Sequence, residues 1–587
     1  MTANFYDSAL IEKKINDDWK KKSVLKKVEK LSKDKPKFYF LDGPPFVTNE
    51  VHEGTMLGIF MKDAVLRYKI LKGFDVRMQP GWDTHGLPIE VMVEKRLGIK
   101  NKKEIKEFEK WFPADFICEG NDQVRGWFYS LLVMGYIATS KIAYKNVMMH
   151  RFVVGENGNK LSKSEGNYKP LSELLKEGYS RDALRLSLIR HKLEDVAVFS
   201  INGLSEEVKS VNVIYNLGNL YLSIKNLFKN KKSEDIHFKL EDKWILSRWN
   251  NTKKAVAESL NSFRTDYAID ALLSFLTNDF SRTYIKLAKS RIFDENDYAA
   301  FQTFYGIFRE SAPVISIFAP YIAEYSYSLL GEKESVMLSA FPKINEELID
   351  PNLEKRMQVT MSILQDLLAA REKMKLPVKR PLNAIFLPGI AGDLIIEEIL
   401  RTLGNILHIN YELKENDFDI ALNFKELKNK YKQEEITEIT TKFIEYTKGT
   451  IFRSIGRGIN ILSNSKEFKL TDMDIELKPK MQGFEVLESQ GRKVVVDKTL
   501  TDEVGELWLR REITRSVQSI RKEFSMQRED PIRLVITVNG VSGSAEVNAL
   551  TMNINEKTNA VLKSGGKLLK IQNLSVDKYN VVISVFK

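Results

Sequence analysis

The sequence predicts an α/β chain: a doubly wound parallel sheet over about the first 200 residues, an α-helical bundle, then a mixed α+β C-terminal region. Three observations carry this. Short β-like runs alternate with helical ones up to about residue 200; apolar residues then recur at three- and four-residue spacing; beyond "LPVKRPL" the two patterns mix. In order, the first part reads Phe38–Leu41 as a strand, Thr55–Leu71 as a helix, Phe74–Met78 as a strand and Leu87–Leu97 as a helix. Phe116–Cys118 is a strand, Asp122–Ala138 helical, Val147–Val154 a strand, "GENGNK" a turn and Arg181–His191 a helix. Strands that alternate with helices pair in parallel, because each crossover helix carries the chain back across the sheet. The stretches "DKWILSRWNNTKKAVAESL", "DYAIDALLSFLTNDFSRTYIKLAKSRI" and "LEKRMQVTMSILQDLLAAREKMKL" supply the bundle, and "DEVGELWLRREITRSVQSIRKEF" and "PIRLVITVNG" a later helix and strand.

Size and composition limit what such a chain can do. At 587 residues it is too long for one domain, and 43% hydrophobic residues suffice for sizeable cores. The net charge of +11 favours a polyanionic partner such as nucleic acid. The single cysteine, Cys118, excludes an internal disulfide and a multi-cysteine zinc site, and fits a reducing compartment. No stretch of about eighteen uncharged apolar residues is present. A soluble cytoplasmic protein is expected, with no membrane partner.

The stretch "DGPPFVTNEVHEGTMLG", residues 42–58, sets a rigid turn after a strand and then His52 and Gly54 where a helix begins. Helix N-termini beyond the carboxyl ends of parallel strands point unpaired N–H groups at ligands, and glycine permits close approach. The stretch "NGNKLSKSEGN", residues 157–167, puts Lys160 and Lys163 on a small, polar loop suited to closing over a polyphosphate.

Together these motifs resemble those of the class I aminoacyl-tRNA synthetases, and within them the isoleucyl branch. "VHEGT" stands where that class has His-x-Gly-His, and "KLSKS" is similar to its Lys-Met-Ser-Lys-Ser loop; "DGPPF", "GWDTHGLPIE" and "EGNDQVRGWF" narrow the amino acid. "DKWILSRWN" and "VKRPL" resemble the family's anticodon-binding and C-terminal regions. The resemblance implies a Rossmann-like catalytic domain over 1–200, with a short connective segment at about 91–112 and the "KLSKS" loop at 160–164. A stem at 201–235, a helical anticodon-binding domain at 236–382 and a tRNA-contacting region at 383–587 follow.

The implied reaction joins isoleucine to ATP as isoleucyl-adenylate, releasing pyrophosphate, and then to the 3′ adenosine of tRNA(Ile). Such chemistry works by positioning and charge stabilisation. The resemblance assigns His52, Thr55, Lys160 and Lys163 to catalysis. It assigns Gly43, His52, Gly54, Glu119, Gly120, Asp122, Gln123, Lys160, Ser162, Lys163 and Ser164 to ATP, and Pro44, Asp83, Gln123 and Trp127 to the amino acid. Asp83 would pair with the ammonium, Asp122 and Gln123 would hold the ribose, and Pro44 and Trp127 would wall the side chain. ATP is substrate, Mg²⁺ neutralises its oxygens, no structural zinc is expected, and a monomer is expected.

Two departures stand out. Thr55 replaces the family's second histidine, and losing a preorganised donor costs on the order of 3 kcal/mol in the transition state. Only "VMVEKRLGIKNKKEIKEFEKWF" separates "GLPIE" from "PADFICEG", where the family normally carries a long segment with an editing domain. Trp111 either replaces a missing pocket wall or covers the sheet. The reading is therefore an isoleucine–tRNA ligase without hydrolytic editing, the alternative a weak or inactive tRNA-binding paralogue. Cys118 reads as a buried thiol and His85 as a ligand contact or turn cap. His150, His191, His237 and His408 lack ligand spacing, so none is assigned to metal.

Overall fold

The computed structural model describes residues 6–43, 53–77, 95–96, 111–159, 169–229, 236–388, 394–446, 451, 454–463, 466–489, 492–524, 526, 532–539, 560–562, 568–576 and 579–586. The chain forms two compact units, Met1–Pro351 and Asn352–Lys587.

The first unit opens with helices α1 (Ser8–Lys21) and α2 (Val24–Ser32). Asp7 caps α1 by accepting from the Leu10 N–H at 3.0 Å. Strand β1 (Lys37–Phe38) pairs in parallel with β2 (Asp75–Val76), and helix α3 (Glu53–Leu71) lies between them in the chain. Phe40 bridges Phe116 in parallel, and β3 (Ile117–Gly120) pairs in parallel with β4 (Val147–His150). Helix α4 (Trp127–Thr139) separates β3 from β4. The spatial order is thus β2, β1, β3, β4. From β1 the chain winds to one side, and from β3 to the other. Ligand crevices in open α/β sheets form where winding reverses, outside the carboxyl ends of the two strands; here those ends are Asp42–Gly43 and Glu119–Gly120.

The apolar runs follow from this burial. Phe38, Phe40, Phe116, Ile117 and Cys118 are all buried, as parallel strands covered on both faces require. Helix α3 buries Leu57, Met61, Ala64, Val65 and Tyr68. It also buries charge: Asp63 pairs with Arg67 at 2.6 Å and with Arg185. Against the cost of burial, the two guanidinium groups hold the Asp63 carboxyl below its usual range. Arg185 donates in addition to the Ile317 carbonyl at 2.9 Å. Nearby, burial pushes Asp182 up to about 7 although it accepts from the Ile322 N–H at 2.6 Å.

The unit also contains helix Arg181–Ile189, which carries Asp182 and Arg185, and helices Ile201–Ile224, Leu240–Asn261, Thr265–Ser274, Ile285–Phe293, Tyr298–Phe318 and Pro320–Leu329. A π-helical stretch, Phe275–Tyr284, joins two of them, and the Thr283 hydroxyl donates to the Asn278 carbonyl five residues back. Aromatic rings fill the core: Trp249 lies 5.0 Å from Phe275, and Phe280 stacks on Phe304 at 5.7 Å.

One ionic cluster ties these helices. Arg291, 4% exposed, donates to Asp242 at 2.7 Å, Glu241 at 2.7 Å and Asp297 at 2.8 Å. The Tyr284 hydroxyl donates to Asp242 at 2.8 Å.

In the second unit, helix Pro351–Lys373 packs Ile363, Leu364 and Leu367 on a four-stranded sheet ordered Phe484–Ser489, Arg492–Asp497, Leu382–Phe386, Ile406–Asn410. The hairpin Ile459–Ser463 with Lys466–Leu470 packs on helix Gln433–Glu445. Farther along, helix Asp502–Glu523 packs Leu509, Ile513 and Val517 on a sheet that includes Ile532–Asn539 and Tyr579–Phe586.

Removing the cation from a buried cluster leaves its carboxylates unpaired, which costs about 3–5 kcal/mol. Arg291→Met is expected to destabilise the protein by that order, read as a lowered urea midpoint of tryptophan fluorescence. A midpoint equal to that of the parent would contradict the role given to the cluster.

Candidate functional site

Three neighbouring strands end together at the switch between β1 and β3. β1 runs on to Asp42 and Gly43, β3 ends in Glu119 and Gly120, and β4 ends in His150. Lys62 of α3 links two of these ends. Its ammonium donates to Asp42 Oδ1 at 2.7 Å and to Glu119 Oε1. Burial opposes the charge, but Glu119 and Asp42 more than offset it and hold Lys62 above the ordinary lysine range. Burial, reinforced by Asp42 and Asp122, holds Glu119 above the usual carboxylate range despite Lys62.

Two glycines are demanded by close approach. A side chain at Gly43 would collide with the Glu119 carboxylate, and one at Gly120 with Asp122 Oδ1. His150 lies over α3, its Nε2 3.1 Å from where a Gly58 Cβ would stand. Its Nδ1 donates to the Arg151 carbonyl at 2.9 Å. Burial, with Lys62 nearby, lowers its pKa, so the ring is neutral at pH 7 and carries its proton on Nδ1.

After β3 a single 3₁₀ turn, Asn121–Arg125, leads into α4. Gln123 Nε2 donates to Asp122 Oδ2 at 2.6 Å, and Gln123 Oε1 accepts from the Trp127 N–H at 3.1 Å. That pair fixes both side chains beside the strand end. Trp127 is half-buried against a core of Ala114, Ile117 and Phe128. Glu53 Oε1 and Asn121 Oδ1 are buried acceptors with no donor among the described residues.

The structure therefore brings Gly43, Glu119, Gly120, Asp122, Gln123 and Trp127 to one strand-end region, and places Gly54 and Thr55 in the first turn of α3. His52, Pro44, Asp83, Lys160, Ser162, Lys163 and Ser164 lie outside the described residues. Trp111 is resolved in favour of covering the sheet: its ring lies 5.8 Å from Tyr39 and under the Lys37 ammonium at 4.7 Å, at the amino end of β1. Cys118 is fully buried, and burial pushes its thiol up to about 12. Such a thiol is neutral and inert at neutral pH.

Three residues escaped the sequence reading. Lys62 and Asp42 lie in stretches that read as a helix and a turn, without a site role, and His150 lacks ligand spacing. The signal for Lys62 was its place in α3 among Gly58, Met61 and Ala64, on the face toward the sheet.

The chemistry of this crevice is acceptor-rich. Asp42, Glu119 and Asp122 outnumber Lys62, which suits an ammonium group and hydroxyls. Among the described residues no group of three or more His, Cys, Asp or Glu side chains could hold a metal ion.

Residues 14–109 and 102–198 match the family model described as tRNA synthetases class I (I, L, M and V), and residues 242–386 match the anticodon-binding domain of tRNA ligase. The chain thus carries two stretches similar to domains of the class I tRNA synthetases. Isoleucine–tRNA ligases are among the proteins it is similar to. That of Pyrococcus horikoshii is 31% identical over 479 residues, covering 77% of this chain and 43% of the relative. That of Pyrococcus abyssi is 32% identical over 473 residues with the same coverage, and that of Methanothrix thermoacetophila 29% over 521 residues, 82% of this chain and 48% of the relative. The chain thus spans less than half the length of these relatives.

Replacing Lys62 with methionine leaves two partly buried carboxylates side by side without their cation. Lys62→Met is expected to lower stability by about 3 kcal/mol or more, with the loss shrinking as falling pH protonates Glu119. Equal stability of the two proteins at neutral pH would contradict the bridging role.

Proposed function

We propose that the chain is an isoleucine–tRNA ligase, which activates isoleucine with ATP to isoleucyl-adenylate and transfers it to tRNA(Ile). The observation that carries this is Glu119-Gly120-Asn121-Asp122-Gln123 held at the carboxyl end of β3 beside Gly43. Asp122 and Gln123 offer locked acceptors and a donor to ribose hydroxyls, and Gly43 and Gly120 leave room for the nucleotide. Glu119, held by Lys62 at the same strand end, is assigned with Gly120 to the nucleotide, and Asp83 to the substrate ammonium. His52, Thr55 and the start of α3 meet the nucleotide, and Lys160 and Lys163, with Ser162 and Ser164, close on the phosphates. Pro44 and Trp127 wall the isoleucine side chain. The catalytic part is read as a Rossmann-like domain, and 242–386 as the part that grips the anticodon stem.

Mg²⁺ accompanies ATP, since it favours phosphate oxygens and water over an all-protein cage. It neutralises phosphate charge when bound. The described residues provide no cage of their own, and Asp42 and Glu119 are already engaged by Lys62.

Discrimination of isoleucine from valine by one methylene gives about 1–3 kcal/mol, a figure known from enzymes of this kind. With so short a connective segment, valine carried to tRNA would escape hydrolysis. Isoleucine-dependent exchange of pyrophosphate into ATP tests the proposal, with valine in parallel and Lys163→Ala as the control. Exchange that favours isoleucine and falls at least a hundredfold in the variant is expected, on the order of one lost electrostatic donor. No exchange with either amino acid, in protein that still binds tRNA, would establish the non-catalytic paralogue instead.

A further inference from the structure

The charge of this chain is unevenly distributed. Residues 20–37, "KKKSVLKKVEKLSKDKPK", hold nine lysines against Glu29 and Asp34, which is seven of the net +11 carried by 587 residues. Helix α2 displays part of this surplus in a row. Val24, Val28 and Ser32 face inward, with Val24 and Val28 packed on Met337. On the opposite side, Lys26, Lys30 and Lys33 are exposed at spacings of four and three residues, three charges within about 10 Å along the axis. Lys20, Lys21 and Lys35 are exposed beside them. Among the described residues these six have no ion-pair partner, whereas Lys27 is engaged by Glu334 at 2.7 Å and Lys22 by the Lys333 carbonyl at 2.9 Å.

We propose that the lysine face of α2, continued by Lys20, Lys21 and Lys35, is an RNA-backbone contact separate from the substrate crevice. The inference rests on the tRNA-ligase reading for the identity of the RNA, but not for the contact. Separation follows from the topology: α2 feeds the amino end of β1, and the crevice lies at the carboxyl end of that strand. The ligand must be an extended polyanion. A single phosphate needs a cradle of convergent donors, and here the cations are spread along one helix and its flanks. A membrane surface is disfavoured because the apolar face of α2 is already docked on Met337, and the exposed Leu25 and Leu31 lie on different sides of the helix. Phosphate contacts of this kind are sequence-independent and strongly salt-dependent.

The test uses the full chain carrying Lys26→Glu, Lys30→Glu and Lys33→Glu together, with circular dichroism to verify its helix content and the corresponding triple alanine variant as a milder partner. Binding of a transcribed tRNA and of poly-U is followed by fluorescence anisotropy across a salt series. The expected result is weaker binding to both RNAs by about tenfold or more, with the slope of log K against log salt reduced in size by about 2 to 3. Pyrophosphate exchange should be unchanged. Equal slopes and affinities for parent and variants would overturn the proposal, as would loss of binding to phosphatidylserine vesicles without change in RNA binding. Absence of exchange in the parent, with the RNA effect intact, would instead overturn the ligase reading and leave this contact standing.

Discussion

The candidate site depends on one buried cation. Lys62 stands on α3, the helix that carries the chain from β1 to β2, yet it holds the end of β1 at Asp42 and the end of β3 at Glu119. β1 and β3 meet through the Phe40–Phe116 bridge and wind away from each other afterwards. Without a tie at their carboxyl ends, two carboxylates placed side by side would repel in a poorly solvated crevice. The ammonium turns that repulsion into a fixed spacing, and the absence of side chains at Gly43 and Gly120 keeps the spacing open for a ligand.

The same arrangement divides labour by charge. The described strand ends are rich in acceptors, so they suit hydroxyls and an ammonium. Phosphate needs the opposite sign, which the proposed function assigns to Lys160 and Lys163. Under the proposed function an ordered half would orient the reactants and a basic half would meet the phosphates, since positioning and charge stabilisation supply most of the rate in such chemistry. The lysine face of α2 fits neither half. It sits at the amino end of the sheet and offers charge to a polymer.

Much of this was legible in the sequence, for identifiable reasons. Buried parallel strands must be apolar throughout, so "KFYFL" and the run before Cys118 stood out. Gly43, Gly120, Asp122 and Gln123 could be singled out only because the resemblance assigns their stretches to ATP; the close approach that demands the two glycines is visible in the structure alone. Lys62 could not. In "FMKDAVLRYK" it looks like one of a solvated pair with Asp63, and its partners lie 20 and 57 residues away in the chain. His150 was passed over because spacing was tested for metal, whereas its role is to cover Gly58. Short strands of the second unit were also illegible: "INILS" alternates buried and exposed residues over five positions and "KEFKL" over only its last four, too few to establish a period.

Isothermal titration with a non-hydrolysable isoleucyl-adenylate mimic separates a formed site from the speed of the chemistry. One tight site per chain is expected, with binding at least tenfold weaker for the valyl mimic and at least a hundredfold weaker in Asp122→Ala. An isoleucyl mimic that fails to bind, or that binds equally well to Asp122→Ala, would contradict the placement of the nucleotide at the ends of β1 and β3.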